Sequence, residues 1–108
     1  MDFKDYQRQA QRTVRGGRAH ELQLDNWALG LAGEAGEVAD IIKKHVHHSH
    51  ALDVDKVSDE LGDVLWYVSV MATECGLDLD DIAHNNCVKL AERYPEGFSP
   101  ERSFNRNF

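Results

Sequence analysis

The chain has 108 residues and a formal net charge of −7. This length predicts one domain covering residues 1–108, and the acidic balance excludes the basic surface that nucleic acid or an anionic membrane would require. No apolar run approaches the roughly 20 residues that span a bilayer, and the first residues lack the apolar segment of a signal peptide. We therefore expect a cytoplasmic protein. Cys75 and Cys87 form no CxxC motif, and we expect both thiols to be free and buried.

Four helices are predicted, because both prolines lie near the C-terminus and β-branched residues rarely alternate with polar ones. The predicted helices cover residues 2–14, 21–47, 53–75 and 79–93. Gly16 and Gly17 are expected to end the first helix. Regular structure is expected to end after Pro95, so that residues 101–108 pack across a neighbouring surface or stay loose. The pattern predicts an all-α fold, a four- to five-helix bundle with an irregular C-terminal tail.

Three glycines interrupt the second predicted helix at three-residue intervals. They are Gly30, Gly33 and Gly36, and each costs about 1 kcal/mol relative to alanine in a helix interior. Such a strip either lets another helix or a ligand approach the backbone, or marks a kink near Gly30 and Gly33.

Two pairs of acidic residues have the same spacing on the second and third helices. Glu34 and Glu37 are followed 26 residues later by Glu60 and Asp63. Residues three apart project from one helix face, and a short loop between two helices makes them antiparallel neighbours. Four facing carboxylates repel each other or hold protons unless a divalent cation neutralises them. The pattern predicts a Mg²⁺ or Mn²⁺ site with oxygen ligands.

Two alternatives for these acids stay open. In the first, they are ordinary surface residues, since a single ExxE spacing occurs in many exposed helices. In the second, they belong to a di-iron carboxylate bundle. The di-iron bundle requires Glu-x-x-His pairs, and neither Glu34 nor Glu60 has a histidine three residues later.

Other side chains share the predicted helix faces with the acids. Lys44 lies two turns after Glu37 and either binds phosphate or is solvated at the helix end. Tyr67 lies one turn after Asp63, and Trp27 lies two turns before Glu34. These two aromatic residues either contact a ligand near the metal or pack in the core.

The fourth helix carries a polar row formed by Asn86, Lys89 and Arg93 at spacings of three and four residues. An amide and two cations in line form either a clamp for sugar and phosphate or a solvated face. The loop after the second helix is rich in histidine, with His45, His47, His48 and His50. These side chains either chelate a transition metal or are solvated near the negative end of the helix dipole.

Several segments together resemble the MazG-type nucleotide pyrophosphohydrolases, whose signature is ExxE, a spacer and ExxD. Gly33-Glu34-Ala35-Gly36-Glu37 and Glu60-Leu61-Gly62-Asp63 carry the signature. The opening segment, residues 6–13, and the closing segment Lys89-Leu90-Ala91-Glu92-Arg93-Tyr94-Pro95-Glu96-Gly97-Phe98 are also similar to short members. The resemblance covers nearly the whole chain.

The resemblance implies the all-α NTP pyrophosphatase type of fold and hydrolysis of nucleoside or deoxynucleoside triphosphates to the monophosphate and pyrophosphate. It implies Mg²⁺ held by Glu34, Glu37, Glu60 and Asp63, with Glu34 or Glu37 activating the water. It also implies substrate contacts at Lys44, Asn86 and Lys89, and a homodimer or homotetramer. The chain departs from some relatives at Gly33, where those relatives carry a further acid.

Two functions from other classes compete with the enzyme hypothesis. In one, the chain is a non-catalytic interaction module that binds a partner through its fourth helix and uses the acids for solubility. In the other, it is a metal-binding or sensing protein built on the histidine cluster.

Overall fold

The computed structural model describes residues 1–105, and its regular secondary structure in that range is helical. The helices are α1 (Phe3–Gln11), α2 (His20–His47), α3 (Val54–Glu74), α4 (Leu79–Arg93) and α5 (Pro100–Phe104). The predicted all-α class is therefore confirmed. No helix within residues 1–105 has both the length and the apolar character needed to cross a membrane.

Helix α1 ends three residues earlier than predicted, because its last turn tightens. The backbone N–H groups of Arg12 and Thr13 donate to carbonyls three residues back rather than four. The carbonyl of Ala10 also accepts hydrogen bonds from the Thr13 hydroxyl and from the indole N–H of Trp66. These side-chain bonds end the helix before the glycines that were expected to end it.

Helix α2 runs for 28 residues without a break at its glycines. A Cβ atom on Gly30 would lie only 2.1 Å from the ring of Tyr67 on α3, so this position brings the two helices into close contact. Gly33 and Gly36 have no other part of the chain within 4 Å of an added Cβ atom. The strip of glycines thus serves helix packing at one position and faces open space at the other two.

Helices α2 and α3 form the principal packing pair. Gly30 meets Tyr67, whereas Glu34 meets Glu60. Residue numbers rise along one helix as they fall along the other, so the pair is antiparallel. The carboxylate of Asp53 caps α3 by accepting a hydrogen bond from the backbone N–H of Lys56 at 3.1 Å.

Gln7 ties α1 to the turn between α3 and α4. Its amide N–H group donates to the Thr73 hydroxyl and to the Leu77 carbonyl, both at 2.9 Å. Its amide oxygen accepts from the backbone N–H of Leu79 at 2.8 Å. Gly76, at φ +70°, makes the turn itself. Helix α4 consequently packs against α1 and α3.

The C-terminal segment contains a fifth helix, which is within the predicted range of four to five but lies where the sequence predicts an irregular tail. Ser99 accepts a hydrogen bond from the backbone N–H of Arg102, and Pro100 occupies the first turn, so a five-residue helix forms. The predicted tail extends to residue 108, and residues 106–108 lie outside the described part of the chain. Phe104 on α5 remains 89% exposed.

A small apolar core holds these helices together. Ala10, Trp27 and Val70 are buried, with Trp66 and Tyr67 packed beside them. Trp66 lies edge-on to both Trp27 and Tyr67, with ring centroids 5.4 Å and 5.0 Å apart. The predicted burial of the two free thiols is wrong, because Cys75 and Cys87 are both exposed.

Candidate metal centre

Three of the four signature acids meet between α2 and α3. The carboxylates of Glu34, Glu60 and Asp63 each offer an oxygen atom, and these oxygens lie within 4.8 Å of one another. We call these three residues the acid cluster. Glu60 and Asp63 lie three residues apart on α3 and point to one side, while Glu34 faces them from α2. It is the only group of its kind among residues 1–105.

The electrostatics of the acid cluster are unfavourable without a cation. A carboxyl–carboxyl hydrogen bond with Glu34 raises the pKa of Glu60 above its ordinary value of 4.5, and the negative charges of Glu34 and Asp59 add to the shift. No lysine within residues 1–105 forms an ion pair with the cluster. Close carboxylates compete to hold a proton or bind a cation.

The donor set fits a hard divalent cation. All three ligand atoms are carboxylate oxygens, which Mg²⁺ and Mn²⁺ prefer, and no cysteine or histidine joins them within the described residues. Glu34 and Glu60 are half-buried and Asp63 is exposed, so water can complete the coordination. The same geometry leaves no place for the Glu-x-x-His ligands of a di-iron bundle.

Glu37 lies outside the acid cluster, beside a separate polar cavity. Glu34, and not Glu37, faces Glu60 across the helix pair, so Glu37 lies one turn closer to the loop. A cavity of about 400 Å³ opens there, lined by Glu37, Asp40, Lys44 and Lys56 among others. Lys56 is absent from the predicted set, although its position four residues before Glu60 places both on one face of α3.

Lys44 lines this cavity but is already engaged. Its ammonium group forms an ion pair with Asp40 at 2.8 Å, one turn earlier on α2. The hydrogen bond with Asp40 raises the pKa of Lys44, so the lysine stays charged. Lys44 therefore lines the cavity beside Glu37 and is already paired with Asp40, a partner that its spacing to Glu37 does not predict.

The two predicted aromatic contacts lie in the core of the chain. Trp27 is 5% exposed, and its indole N–H donates to the Glu74 carboxylate at 3.4 Å. Tyr67 is half-buried between Gly30 and the Trp27 ring, whose centroid is 6.2 Å away. These positions favour core packing, the alternative that the sequence leaves open for both residues.

The predicted row on α4 lies apart from the acids in a single chain. Asn86 and Lys89 are exposed, and no hydrogen bond or ion pair within residues 1–105 joins either of them to the acid cluster. Arg93 is half-buried at the end of α4. Because α4 packs on α1 and α3, this row forms an outer surface of the molecule.

The histidines do not assemble into a metal site within the described residues. His45 Nδ1 lies 2.8 Å from the backbone carbonyl of His50, which closes the loop after α2. The rings of His48 and His50 are arranged edge to face at 6.4 Å. Their contacts are those of a structured loop, which favours the solvated alternative over transition-metal chelation.

Comparison with known proteins places this chain in a family. The fold and the acid cluster define an all-helical protein with a candidate carboxylate metal centre. Residues 23–98 match the MazG nucleotide pyrophosphohydrolase domain, and the chain belongs to that family. The Gene 37 protein of Mycobacterium phage L5 is 36% identical over 73 residues, a stretch that covers 64% of each chain. No solved structure gives a significant match.

Stability of the metal-free protein should depend on pH through Glu60. Because folding raises the pKa of Glu60, ionising this group opposes folding. The cost is absent at pH values below the ordinary pKa of 4.5 and grows as pH rises through the folded-state pKa. The melting temperature of Glu60→Gln minus that of the parent, both measured in EDTA, should therefore increase from pH 4 to pH 7.

The control for this measurement is Glu92→Gln, which makes the same chemical change at an exposed position on α4. Its difference from the parent should stay nearly constant over that range. A constant difference for Glu60→Gln as well would show that the carboxylates of Glu34 and Glu60 do not interact.

Proposed function

We propose that this protein is a Mg²⁺-dependent nucleoside triphosphate pyrophosphohydrolase. It would convert a nucleoside or deoxynucleoside triphosphate into the monophosphate and pyrophosphate, with Mn²⁺ as an alternative metal, and the chain would act as one helical domain over residues 1–108. The observation that carries the proposal is the meeting of Glu34, Glu60 and Asp63 at one point between two helices. Membership of the MazG family supports the same reaction class.

Glu34, Glu60 and Asp63 would hold the metal ion, whereas Glu37, the fourth predicted ligand, lies outside their cluster. A bound Mg²⁺ supplies charge neutralisation for the phosphates and lowers the pKa of coordinated water. The protein carries a formal charge of −7, so a polyphosphate needs such neutralisation to approach. Repulsion within the acid cluster would make the site favour a cation over the empty state.

In the proposed reaction, the oxygen of a water molecule forms a bond with the α-phosphorus. The bond from the α-phosphorus to the oxygen that leads to the β-phosphorus breaks, and pyrophosphate leaves with the electron pair. Glu37 is the carboxylate best suited to accept the proton of the water, since it lies outside the acid cluster and is exposed. Glu34 is the second possible base, and its interaction with Glu60 makes it the weaker choice.

Gly33 is consistent with this division of roles. Some relatives carry an acid there, but in this chain an added Cβ atom at residue 33 would have nothing within 4 Å. A side chain at that position would project into open space rather than towards Glu60. Either the proton acceptor comes from the four signature acids themselves, as we propose, or the number of bound metal ions differs from that in those relatives.

We further propose that the active protein is a homodimer or homotetramer whose sites are shared between copies. The described chain has 8030 Å² of accessible surface, whereas a compact protein of 12.2 kDa has about 6,000 Å². Its radius of gyration is 17.0 Å, against about 13 Å for a compact chain of this length. The excess surface is comparable to one partner's share of an obligate interface.

A second copy would also provide substrate contacts that one copy lacks. Leu29 on α2 and Leu61 on α3 are 66% and 51% exposed on the helices that carry the acids. Covering this apolar surface with the outer face of α4 from another copy would bring Asn86 and Lys89 to the acid cluster. Their predicted role in substrate binding would then be fulfilled between copies.

The reaction is tested by incubating the purified protein with a panel of NTPs and dNTPs in Mg²⁺ and detecting pyrophosphate. The parent should release pyrophosphate and monophosphate, and Glu34→Gln should lower kcat/KM by about a hundredfold or more, because it removes a metal ligand and a charge from the site. Glu92→Gln is the matched control and should retain the parent activity. Release of no pyrophosphate from any nucleotide, in Mg²⁺ or Mn²⁺, would favour a non-catalytic interaction module.

Sharing of sites is tested by mixing two inactive variants. Glu34→Gln and Lys89→Met should each be inactive alone, and unfolding and refolding them together in equal amounts should restore about a quarter of the parent activity in a dimer, since half the dimers carry one intact site. No recovery, or a parent that sediments as a monomer, would contradict shared sites while leaving the reaction itself intact.

A further inference from the structure

The segment that follows α4 carries aromatic side chains that remain exposed. We call residues 94–108 the C-terminal arm, of which the structure describes 94–105. Phe98 is 73% exposed and Phe104 is 89% exposed, and helix α5 is not among the helix pairs that pack extensively within residues 1–105. Because aromatic residues are enriched in the buried centres of protein interfaces, these side chains indicate a docking element.

Local contacts order the arm without help from the main body of the chain. The backbone N–H of Gly97 donates to the Tyr94 carbonyl at 3.1 Å, and the Tyr94 ring lies 5.3 Å from that of Phe98 between centroids. The Ser99 hydroxyl accepts from the backbone N–H of Arg102 at 3.3 Å and caps α5. A segment that is already ordered loses little conformational entropy when it binds a partner.

An apolar groove of about 420 Å³ opens at the N-terminal ends of α1 and α4. We call it the N-terminal groove, and its lining consists of Met1, Asp2, Phe3, Tyr6, Leu65 and Asp80. Four of these six residues are apolar or aromatic, and the other two are carboxylates. The groove therefore suits a ligand that combines an aromatic group with positive charge.

The C-terminal arm and the N-terminal groove lie at opposite ends of α4. Asp80 lies in the first turn of this helix, whereas the arm begins after Arg93, its last residue. Thirteen residues of α-helix extend for about 20 Å. The arm of a chain therefore starts far from the groove of the same chain, and a second copy is the better source of an occupant.

The composition of the arm matches that of the groove. Residues 102–108 alternate two arginines with two phenylalanines and contain no acidic residue. Arg102 and Asp80 form no ion pair within residues 1–105. Asp2 uses one carboxylate oxygen to cap α1, which leaves its other oxygen for a cation. Opposite charges would thus meet around an apolar contact.

The groove also lies beside the acid cluster, where the assembly proposed above places a second copy. Burial raises the pKa of Tyr6, and the negative charge of Asp63 adds to the shift, so these two side chains are neighbours. The arm directly follows Arg93, which ends the polar row on α4. A second copy that brings this row to the acid cluster therefore brings the start of its arm towards the groove.

We propose that the C-terminal arm of one copy docks in the N-terminal groove of a second copy, with Phe104 against the apolar lining and Arg102 and Arg106 paired with Asp2 and Asp80. Twofold symmetry makes the exchange reciprocal, so each copy gives one arm and receives another. The inference rests on the assembly in the proposed function, because it requires a second copy, and it does not depend on the reaction.

The test reverses the charges on each side of the contact and measures association by sedimentation velocity over a dilution series. The arm variant is Arg102→Asp with Arg106→Asp, and the groove variant is Asp80→Arg. Each should raise the dissociation constant of the assembly about tenfold or more, because like charges then face each other. Phe104→Ser should do the same, since it removes a buried aromatic side chain.

Asp81→Arg is the matched control for the groove variant, because Asp81 is exposed on the same helix turn and does not line the groove. It should associate like the parent. Mixing the arm variant with the groove variant should restore association, because the mixed pair places reversed arms against a reversed groove and native arms against a native one. Failure of the mixture to associate would overturn exchange between copies.

Failure of this inference is distinguishable from failure of the proposed function. A parent assembly whose dissociation constant does not change in the arm variant would overturn the arm contact and leave both the assembly and the reaction standing. A parent that stays monomeric would overturn the arm contact and the shared sites together. A parent that assembles but releases no pyrophosphate would contradict the reaction alone, and the dilution series would still test the arm.

Discussion

The close antiparallel contact between α2 and α3 is the constraint on which the rest of the structure depends. Gly30 allows the two backbones to approach by leaving room for the Tyr67 ring, and the Trp27, Trp66 and Tyr67 rings pack at that end of the pair. About one helical turn away, the same approach forces Glu34 against Glu60. Apolar packing at one end thus holds like charges together at the other. If a cation binds there as proposed, the free energy that this repulsion costs would contribute to its binding, because the ligands are already assembled.

The proposed reaction requires an acidic protein to bind an anionic substrate. A net charge of −7 opposes a polyphosphate at long range, so attraction must come from a few local charges. The acid cluster offers carboxylates to a metal ion, and the neighbouring cavity is itself lined by more carboxylates (Glu37, Asp40 and Asp53) than ammonium groups (Lys44 and Lys56). A bound divalent cation would therefore have to supply the local attraction for a polyphosphate. In the proposed dimer or tetramer, the row on α4 of a second copy would add further positive charge beside the acid cluster.

Much of the fold follows from the sequence, because helix periodicity and the placement of both prolines depend on local interactions. The limits of α1 do not, since Trp66, which comes from more than 50 residues away, binds the Ala10 carbonyl. The spacing of the signature acids predicts that Glu60 and Asp63 point to one side. It does not predict that Glu34 rather than Glu37 faces them, because that register depends on how the helices cross. The sequence does not indicate Lys56 as a site residue for a related reason, because Lys56 becomes a candidate only once Asp40 is seen to occupy Lys44.

The most direct test of this account is metal binding by the purified protein without nucleotide, measured by titration with Mn²⁺ and detection of the free ion by electron paramagnetic resonance. The account predicts a specific site in the parent and a loss of affinity of about tenfold or more in Glu34→Gln, because one of the clustered carboxylates is removed. Asp25→Asn is the matched control, since Asp25 is exposed on α2, lies outside the acid cluster and does not contribute to the pKa shift of Glu60. It should bind Mn²⁺ nearly as well as the parent. Equal affinity in Glu34→Gln and the parent would show that Glu34, Glu60 and Asp63 do not form the metal centre.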